Sequence, residues 1–379
     1  MKQVVCLATS PWYPIPTRKQ QVMSRLPDAE ILYFDPAVSY LAPLKDRGAK
    51  EKLRAYRREG VKPKENITVY TLPPVLPLFN RFRLVNKLNQ RRAARYIRKK
   101  MRQHGFVDPL LWVYSPVCCD CAPKIPHAGL VYDCVDRHSA YGGQMDPCVV
   151  DRMEEDLARQ CDVVFATAKP LADRLAAFNT NVTFIPNGAN YERFAQAAQE
   201  QPLPPELETI PRPCFGFVGA LQPCIEYRYV QAAAKARPDW SFVFIGAEKP
   251  GADLLDLKKL PNVFFLGLKP NEELPKYLAH FDACLNLFAE SDLSKDVSPL
   301  KFYEYLATGK PIVSTPQPDQ VLQFAEIIHI ARSEEEFVQA CEESLSDQNA
   351  EKRMEQGKLS SWDARVVQMC EILKREDLF

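Results

Sequence analysis

The stretch SPLKFYEYLATGKPIVST, residues 298–315, decides the fold. It starts and stops like a short helix and runs directly into a buried strand. Ser298 can act as N-cap, with Pro299 at the first helical position, both favoured where backbone amides are unsatisfied. Gly309 suits the left-handed residue that ends a helix, and Pro311 forbids its continuation. The spacing therefore predicts a helix over 299–308 and a return to the sheet through PIVST. An apolar run, ACLNLF (283–288), and a polar loop, AESDLSKDV (289–297), stand before it. A helix that begins just after a strand turns free amides and a positive dipole end toward the sheet's C-terminal edge, where anions bind. Lys301 adds a full charge there, and the amides near Ser298, Pro299 and Leu300 complete a phosphate grip. Glu304 falls outside that logic, because a carboxylate repels phosphate. It can instead accept hydrogen bonds from a ribose diol, as acidic residues do in dinucleotide folds. Phosphate and diol grips on one helix point to a nucleoside diphosphate. The competing reading is an i,i+3 surface ion pair between Lys301 and Glu304. The helix pattern alone leaves both open.

Outward from this stretch the chain alternates short apolar runs with amphipathic segments, the mark of a doubly wound α/β fold. The first half offers strands at 4–9, 29–34, 110–115, 129–134, 162–167 and 182–186. The second offers 214–219, 241–246, 263–267, 283–288 and 311–315, with Gly219 closing the first of these. Helices are expected at 86–103, 152–160 and 226–236, where apolar residues recur every three or four positions. Between the halves, residues 186–213 carry Asn-Gly and then a Pro-rich polar tract, the composition of a linker. Two Rossmann-like domains facing across a cleft follow: 1–195 on the acceptor side and 210–350 on the nucleotide side. A helix over 351–379 is expected to pack back toward the first domain.

At 379 residues the chain exceeds one ordinary core. It is 46% hydrophobic and 26% charged, in the range of soluble globular proteins. No apolar run approaches the ~20 residues of a membrane helix. Val4 to Ala8 is too short for a signal-peptide core. The 12 cysteines are scattered, as expected of reduced thiols in a cytoplasmic protein. The net charge of +1 conceals an asymmetry. Residues 45–104 hold 19 Lys/Arg against 4 Asp/Glu, a local balance of +15. That leaves 30 of the 49 basic and 44 of the 48 acidic residues elsewhere, a balance of −14. One part of the molecule attracts anions.

The segment DVSPLKFYEYLATGKPIVST resembles the donor-site signature of glycosyltransferases with the two-domain GT-B fold. PDWSFVFIG, LPNVFFLGLKPNEELPKYLAHFDACLNLF, VYDCVDRHSAY and CDVVFATAKPLADRL…FIPNGANYERF resemble the companion segments, in order. The resemblance covers about 110–340 and is closest to bacterial enzymes building teichuronic acid, capsule and exopolysaccharide, the glucuronosyltransferase type included. It implies a nucleotide-diphosphate sugar as donor, no metal cofactor and a glycan acceptor. Many retaining members have Glu-x7-Glu here. Their second Glu, the ribose holder, matches Glu304, and their first matches Asp296, a shorter acid facing sugar or diphosphate. The glycine-rich loop that many relatives carry after the first strand is replaced by SPWYPIPTRKQQ (10–21), which puts Trp12 and Arg18 on the acceptor side.

An inverting transferase needs a general base within reach of the acceptor hydroxyl. The resemblance implies an acid from this part of the first domain, and Asp133 and Asp136 are its candidates, with His138 as an acceptor contact. The plainer reading is that Asp133 bonds backbone amides and Asp136 caps the turn DRHSAYGG. Cys118, Cys119 and Cys121 lie near His127, but no second ligand pair follows, so buried thiols are expected rather than a metal. The segment NKLNQRRAARYIRKKMRQ (86–103) sets Ala94, Ile97 and Met101 on one stripe and 8 Lys/Arg around the rest. ITVYTLPPVLPLF (67–79), apolar and interrupted by 3 prolines, is not expected to be helical. Together they suit an anionic bilayer surface; a solvated helix packed on its sheet is the rival. Nucleic acid is not expected, since the aromatic and glycine patterns of its binding modules are absent. The expected protein is a cytoplasmic, membrane-peripheral GT-B enzyme that uses a UDP-sugar to extend a lipid-linked or growing glycan. A sugar-nucleotide epimerase and a nucleotide-binding scaffold are the rivals.

Overall fold

The computed structural model describes residues 1–14, 16–44, 49–140, 145–291 and 294–379. The chain forms two compact units, Met1–Pro186 with Val366–Phe379, and Asn187–Arg365.

In unit 1 the strands are β1 (Lys2–Leu7), β2 (Ala29–Asp35), β3 (Val61–Lys64), β4 (Ile67–Thr71), β5 (Leu110–Val113), β6 (Gly129–Cys134), β7 (Val163–Ala166) and β8 (Val182–Phe184). Among the described residues they form one sheet in the order β3-β4-β2-β1-β5-β6-β7-β8. All neighbours are parallel except β3 and β4. The order reverses between β1 and β5, the switch point where open α/β sheets bind ligands. Helix Arg83–Gln103 covers one face, burying Ala93, Ala94, Ile97 and Met101 against Val5, Leu32 and Leu111.

Unit 2 holds β9 (Cys214–Val218), β10 (Ser241–Ile245), β11 (Val263–Gly267), β12 (Ala283–Asn286), β13 (Ile312–Ser314) and β14 (His329–Ile330). Their order is β11-β10-β9-β12-β13-β14, all parallel. Alternate residues of each strand feed separate cores, as strand geometry requires. Phe215, Phe217, Phe242 and Phe244 enter one, and Cys214, Val218, Val243 and Ile245 the other.

The expected strands and helices are present, and two features differ. Residues 67–71, expected only to be non-helical, form β4 beside β2, with Ile31 opposite Ile67 and Asp35 opposite Thr71. Their β-branched residues suit a pleated surface, and the prolines begin only at Pro73. The 351–379 segment is two helices, Ala350–Leu359 and Trp362–Arg375. The first packs on helix Leu300–Thr308 within unit 2. There Arg353, 1% exposed, donates to Gly309 O at 3.1 Å and Ile327 O at 2.7 Å, and pairs with Asp347. Gly357 allows the approach, since a Cβ there would stand 2.6 Å from the amide nitrogen of Ala307.

Alanine at a helix interior usually improves on glycine by about 0.5–1 kcal/mol. Gly357→Ala should do the opposite. Overpacking against backbone should lower stability by about 1–3 kcal/mol in urea unfolding, and a gain would contradict this packing.

Candidate functional site

Helix Leu300–Thr308 ends on Gly309 in the left-handed conformation, at φ 72°, as the sequence requires. Its beginning differs. The N-cap is Pro299, in extended backbone, rather than Ser298. The Ser298 hydroxyl is committed elsewhere: it accepts from the Asn187 amide at 2.9 Å and donates to Gln320 Oε1 at 3.1 Å. Asn187 Nδ2 donates to Ser298 O at 2.9 Å, and Gln320 Nε2 to Val297 O at 3.0 Å. Residues 297–299 are thereby pinned, and no side chain caps the helix. Its first-turn amides keep their capacity to donate to an anion.

Lys301 Nζ lies 3.8 Å from the Phe217 ring centroid and 4.7 Å from that of Phe288. Phe217 is on β9 and Phe288 follows β12, so the ammonium sits at the C-terminal edge of the sheet. The rings attract the cation, but burial removes more water than they replace. It lowers the Lys301 pKa to about 7, against the pull of Cys224 and Glu304. Burial also raises Glu304 to about 7, with Arg193 and Lys301 opposing. Among the described residues no ion pair joins Lys301 to Glu304, so the surface-pair reading is not the arrangement here. Gly219 adopts φ 151° beside Lys301, and Gly246 adopts φ 154°. A Cβ on Gly246 would stand 1.9 Å from Gly219 O, so only glycine lets these two strand ends meet. Asp296 is buried in the turn Ser294–Asp296 that leads to the helix. Residues 292 and 293 of the same loop lie outside the described residues.

The unit 1 candidates separate into two groups. Asp133 is fully buried, and Arg18 Nε donates to its two oxygens at 2.9 and 3.0 Å. Arg18, 3% exposed, also donates to Pro186 O at 3.1 Å. The guanidinium occupies both Asp133 oxygens, which disfavours Asp133 as a base for an incoming hydroxyl, while Arg18 Nη2 is buried with no hydrogen-bond partner among the described residues. Trp12 packs edge-on to Tyr33, with ring centroids 4.9 Å apart, and its amide donates to Asp35 at 2.8 Å. It is a packing residue.

Asp136 and His138 remain half-exposed and share a cavity of about 450 Å³ with Lys19. His138 Nε2 donates to Tyr114 O at 3.1 Å, since a carbonyl can only accept. Burial lowers its pKa, favouring the neutral ring. Burial likewise lowers the Lys19 pKa, while the Asp136 carboxylate opposes the shift. The polar lining is Thr9, Lys19, Ser115, Asp136 and His138, from segments following β1, β5 and β6 and from helix Arg18–Met23, together with Asn80 and Gln90. The remaining lining is mostly apolar, with Leu72, Val75 and Phe79 from the β4 exit and Ala93 and Ile97 from helix Arg83–Gln103. The turn 141–144 lies outside the described residues.

On the far side of that helix Lys87, Arg91, Arg95, Arg98, Lys99 and Arg102 are exposed. None of them forms an ion pair among the described residues. Residues 45–48 of the basic segment lie outside the description. Cys118, Cys119 and Cys121 are buried, and His127 bonds Ile125 O at 2.6 Å. Among the described residues no group of three or more His, Cys, Asp or Glu could hold a metal ion. No helix there is long and apolar enough to cross a membrane.

Sequence reasoning missed Asn187 and Gln320, which fix the start of helix Leu300–Thr308, and Lys19, which lines the cavity. Asn187 carries a signal in its Asn-Gly pair, but by composition that pair reads only as the start of a linker. Lys19 sits beside Arg18 with nothing local to mark it.

Residues 212–347 match the family model for glycosyl transferases group 1. A Bacillus subtilis protein named as a teichuronic acid biosynthesis glycosyltransferase is 27% identical over 242 residues, 59% of this chain and 60% of that protein. The matched region thus spans about 60% of that relative's length. Trehalose 6-phosphate synthase of Burkholderia multivorans matches with a TM-score of 0.72 at 11% identity, over 99% of each chain. Sucrose-phosphate synthase of Thermosynechococcus elongatus gives 0.68 at 14%, also over 99% of each. An Anabaena protein solved with UDP and glucose gives 0.64 at 14%, over 99% of this chain and 100% of that one. The fold is GT-B, and the match to the glycosyl transferases group 1 model lies within its second unit.

Proposed function

We propose that the protein is a glycosyltransferase that moves a sugar from a UDP-sugar to a lipid-linked or growing glycan in cell-surface polysaccharide synthesis. One observation carries the reading: an ammonium group with no ion-pair partner among the described residues, at the uncapped start of a helix on the sheet's C-terminal edge. The UDP and glucose bound by the Anabaena protein and the teichuronic acid role in the Bacillus protein's name support donor and pathway. As the glycosidic bond breaks, negative charge grows on the leaving diphosphate. Lys301 and the first-turn amides are placed to stabilise it without reorganising. Glu304 accepts from the ribose hydroxyls, and Asp296 faces the sugar or the diphosphate. Lys301 and the helix dipole supply the positive charge, so no divalent ion is required. In unit 1 Asp136 takes the proton of the acceptor hydroxyl, with His138 as a neutral neighbour.

UDP release from a UDP-sugar should depend on acceptor and persist in EDTA. Turnover without acceptor would favour an epimerase, and binding without turnover a scaffold. Lys301→Ala should weaken UDP by about 1.5–3 kcal/mol in calorimetry. Asp136→Asn should lower turnover by about 10²–10⁴ at unchanged UDP affinity, because loss of a base acts on the chemical step. Normal turnover in that variant would remove Asp136 from the reaction.

The basic segment is proposed to hold the protein at an anionic membrane face. Its exposed cations flank apolar residues that also face solvent, Leu84 at 75% and Phe82 at 50%. Leu78, at φ 62°, is turned outward in a conformation that costs a bulky residue strain. Attraction of about 1 kcal/mol per surface cation fades with salt. The protein should pellet with phosphatidylglycerol vesicles at low salt and be released as salt rises. Replacing Arg91, Arg95, Arg98 and Arg102 by Gln should abolish pelleting, and indifference of the wild type to the vesicles would sink the membrane reading.

A further inference from the structure

We infer that the unit 1 cavity receives the apolar chain of an amphiphilic acceptor and holds its sugar head at Asp136, an inference that rests on the glycosyltransferase reading. The lining is mostly apolar. Helix Arg83–Gln103 and the β4 exit supply Ala93, Ile97, Leu72, Val75 and Phe79, with Gln90 and Asn80 as their polar members, and the segments after β1, β5 and β6 supply Thr9, Ser115, Asp136 and His138. At about 450 Å³ it lies within the range of ligand cavities that are mostly apolar with a few placed polar groups.

Two elements carry both the apolar lining and the proposed bilayer face. Helix Arg83–Gln103 turns Ala93 and Ile97 to the cavity and Arg91, Arg95 and Arg98 to solvent. The β4 exit contributes Val75 and Phe79 to the cavity and exposes Leu76 and Leu78, 39% and 37% accessible. One pair of elements thus separates a surface suited to lipid from a cavity suited to a lipid chain. The β4 exit is the apolar link between them, with Leu76 and Leu78 outside and Val75 and Phe79 inside, and a chain entering there brings its polar head toward Asp136 and Lys19.

An alkyl-chain series tests this directly. Hexyl, octyl and decyl glucoside, each below its micelle concentration, are titrated into the full-length protein, with glucose as reference. Each buried methylene is expected to tighten binding by about threefold to fourfold, so each step of two should gain about tenfold until the cavity is full. Ala93→Trp and Val75→Trp, two independent ways of filling the space, should flatten the series while leaving UDP affinity unchanged. A wild-type series with no dependence on chain length overturns the inference and leaves the donor site standing. So does a dependence that survives in a filled variant that still binds UDP, because the chain would then lie elsewhere. A wild type that fails to bind UDP overturns the donor reading instead, and the chain series then decides the cavity alone.

Discussion

The structure of unit 2 turns on one placement, an ammonium group held against two aromatic rings at the end of a parallel sheet. Lys301 can be there because β9 and β10 end in glycines whose backbones touch, and because Gly309 and Arg353 fix the far end of its helix. Desolvation makes the charged form costly, and its pKa falls to about 7. Glu304, one turn along, is raised to about 7 by the same burial. Two groups poised this way, unpaired with each other, favour an arrangement that a ligand completes over one that stabilises the ligand-free fold. In the proposed donor site a diphosphate restores the charge of the first, and a ribose diol satisfies the second.

Unit 1 follows a different principle. Its deepest carboxylate, Asp133, is matched by Arg18 across 115 residues of sequence, a buried pair that would cost several kcal/mol to break from one side. That pairing holds helix Arg18–Met23 against the β6 end and leaves Asp136, three residues on, as the acid that lines the cavity. The replacement of a glycine-rich loop by SPWYPIPTRKQQ is intelligible in these terms. The loop contributes structure through Trp12 and Arg18, and Lys19 contributes to the cavity lining.

Much of this was legible before any coordinates. Runs such as CFGFVG and SFVFIG could only be buried parallel strands, and Gly309 with Pro311 marked a helix end that the structure keeps. The misses share a cause, which is that they depend on partners distant in sequence. β4 needed β2 beside it to become a strand. Ser298 had every local reason to cap its helix, yet Asn187 and Gln320, each far along the chain, draw its hydroxyl away. Asp133 and Asp136 looked equivalent until Arg18 was seen to occupy one of them. The cavity could not be read at all, since its lining is gathered from eight separate segments.

That burial leaves Lys301 only partly protonated until a diphosphate arrives can be measured as proton uptake. At pH 8 most of a lysine with a pKa near 7 is deprotonated, while Glu304 is mostly ionised and the phosphates of UDP already carry their full charge. Binding should therefore draw close to one proton from the buffer, seen as a calorimetric enthalpy that changes with the buffer's own ionisation enthalpy. Lys301→Arg, whose guanidinium is always charged, should still bind UDP and take up none. Equal enthalpies in all buffers for the wild type, or uptake that persists in Lys301→Arg, would contradict it.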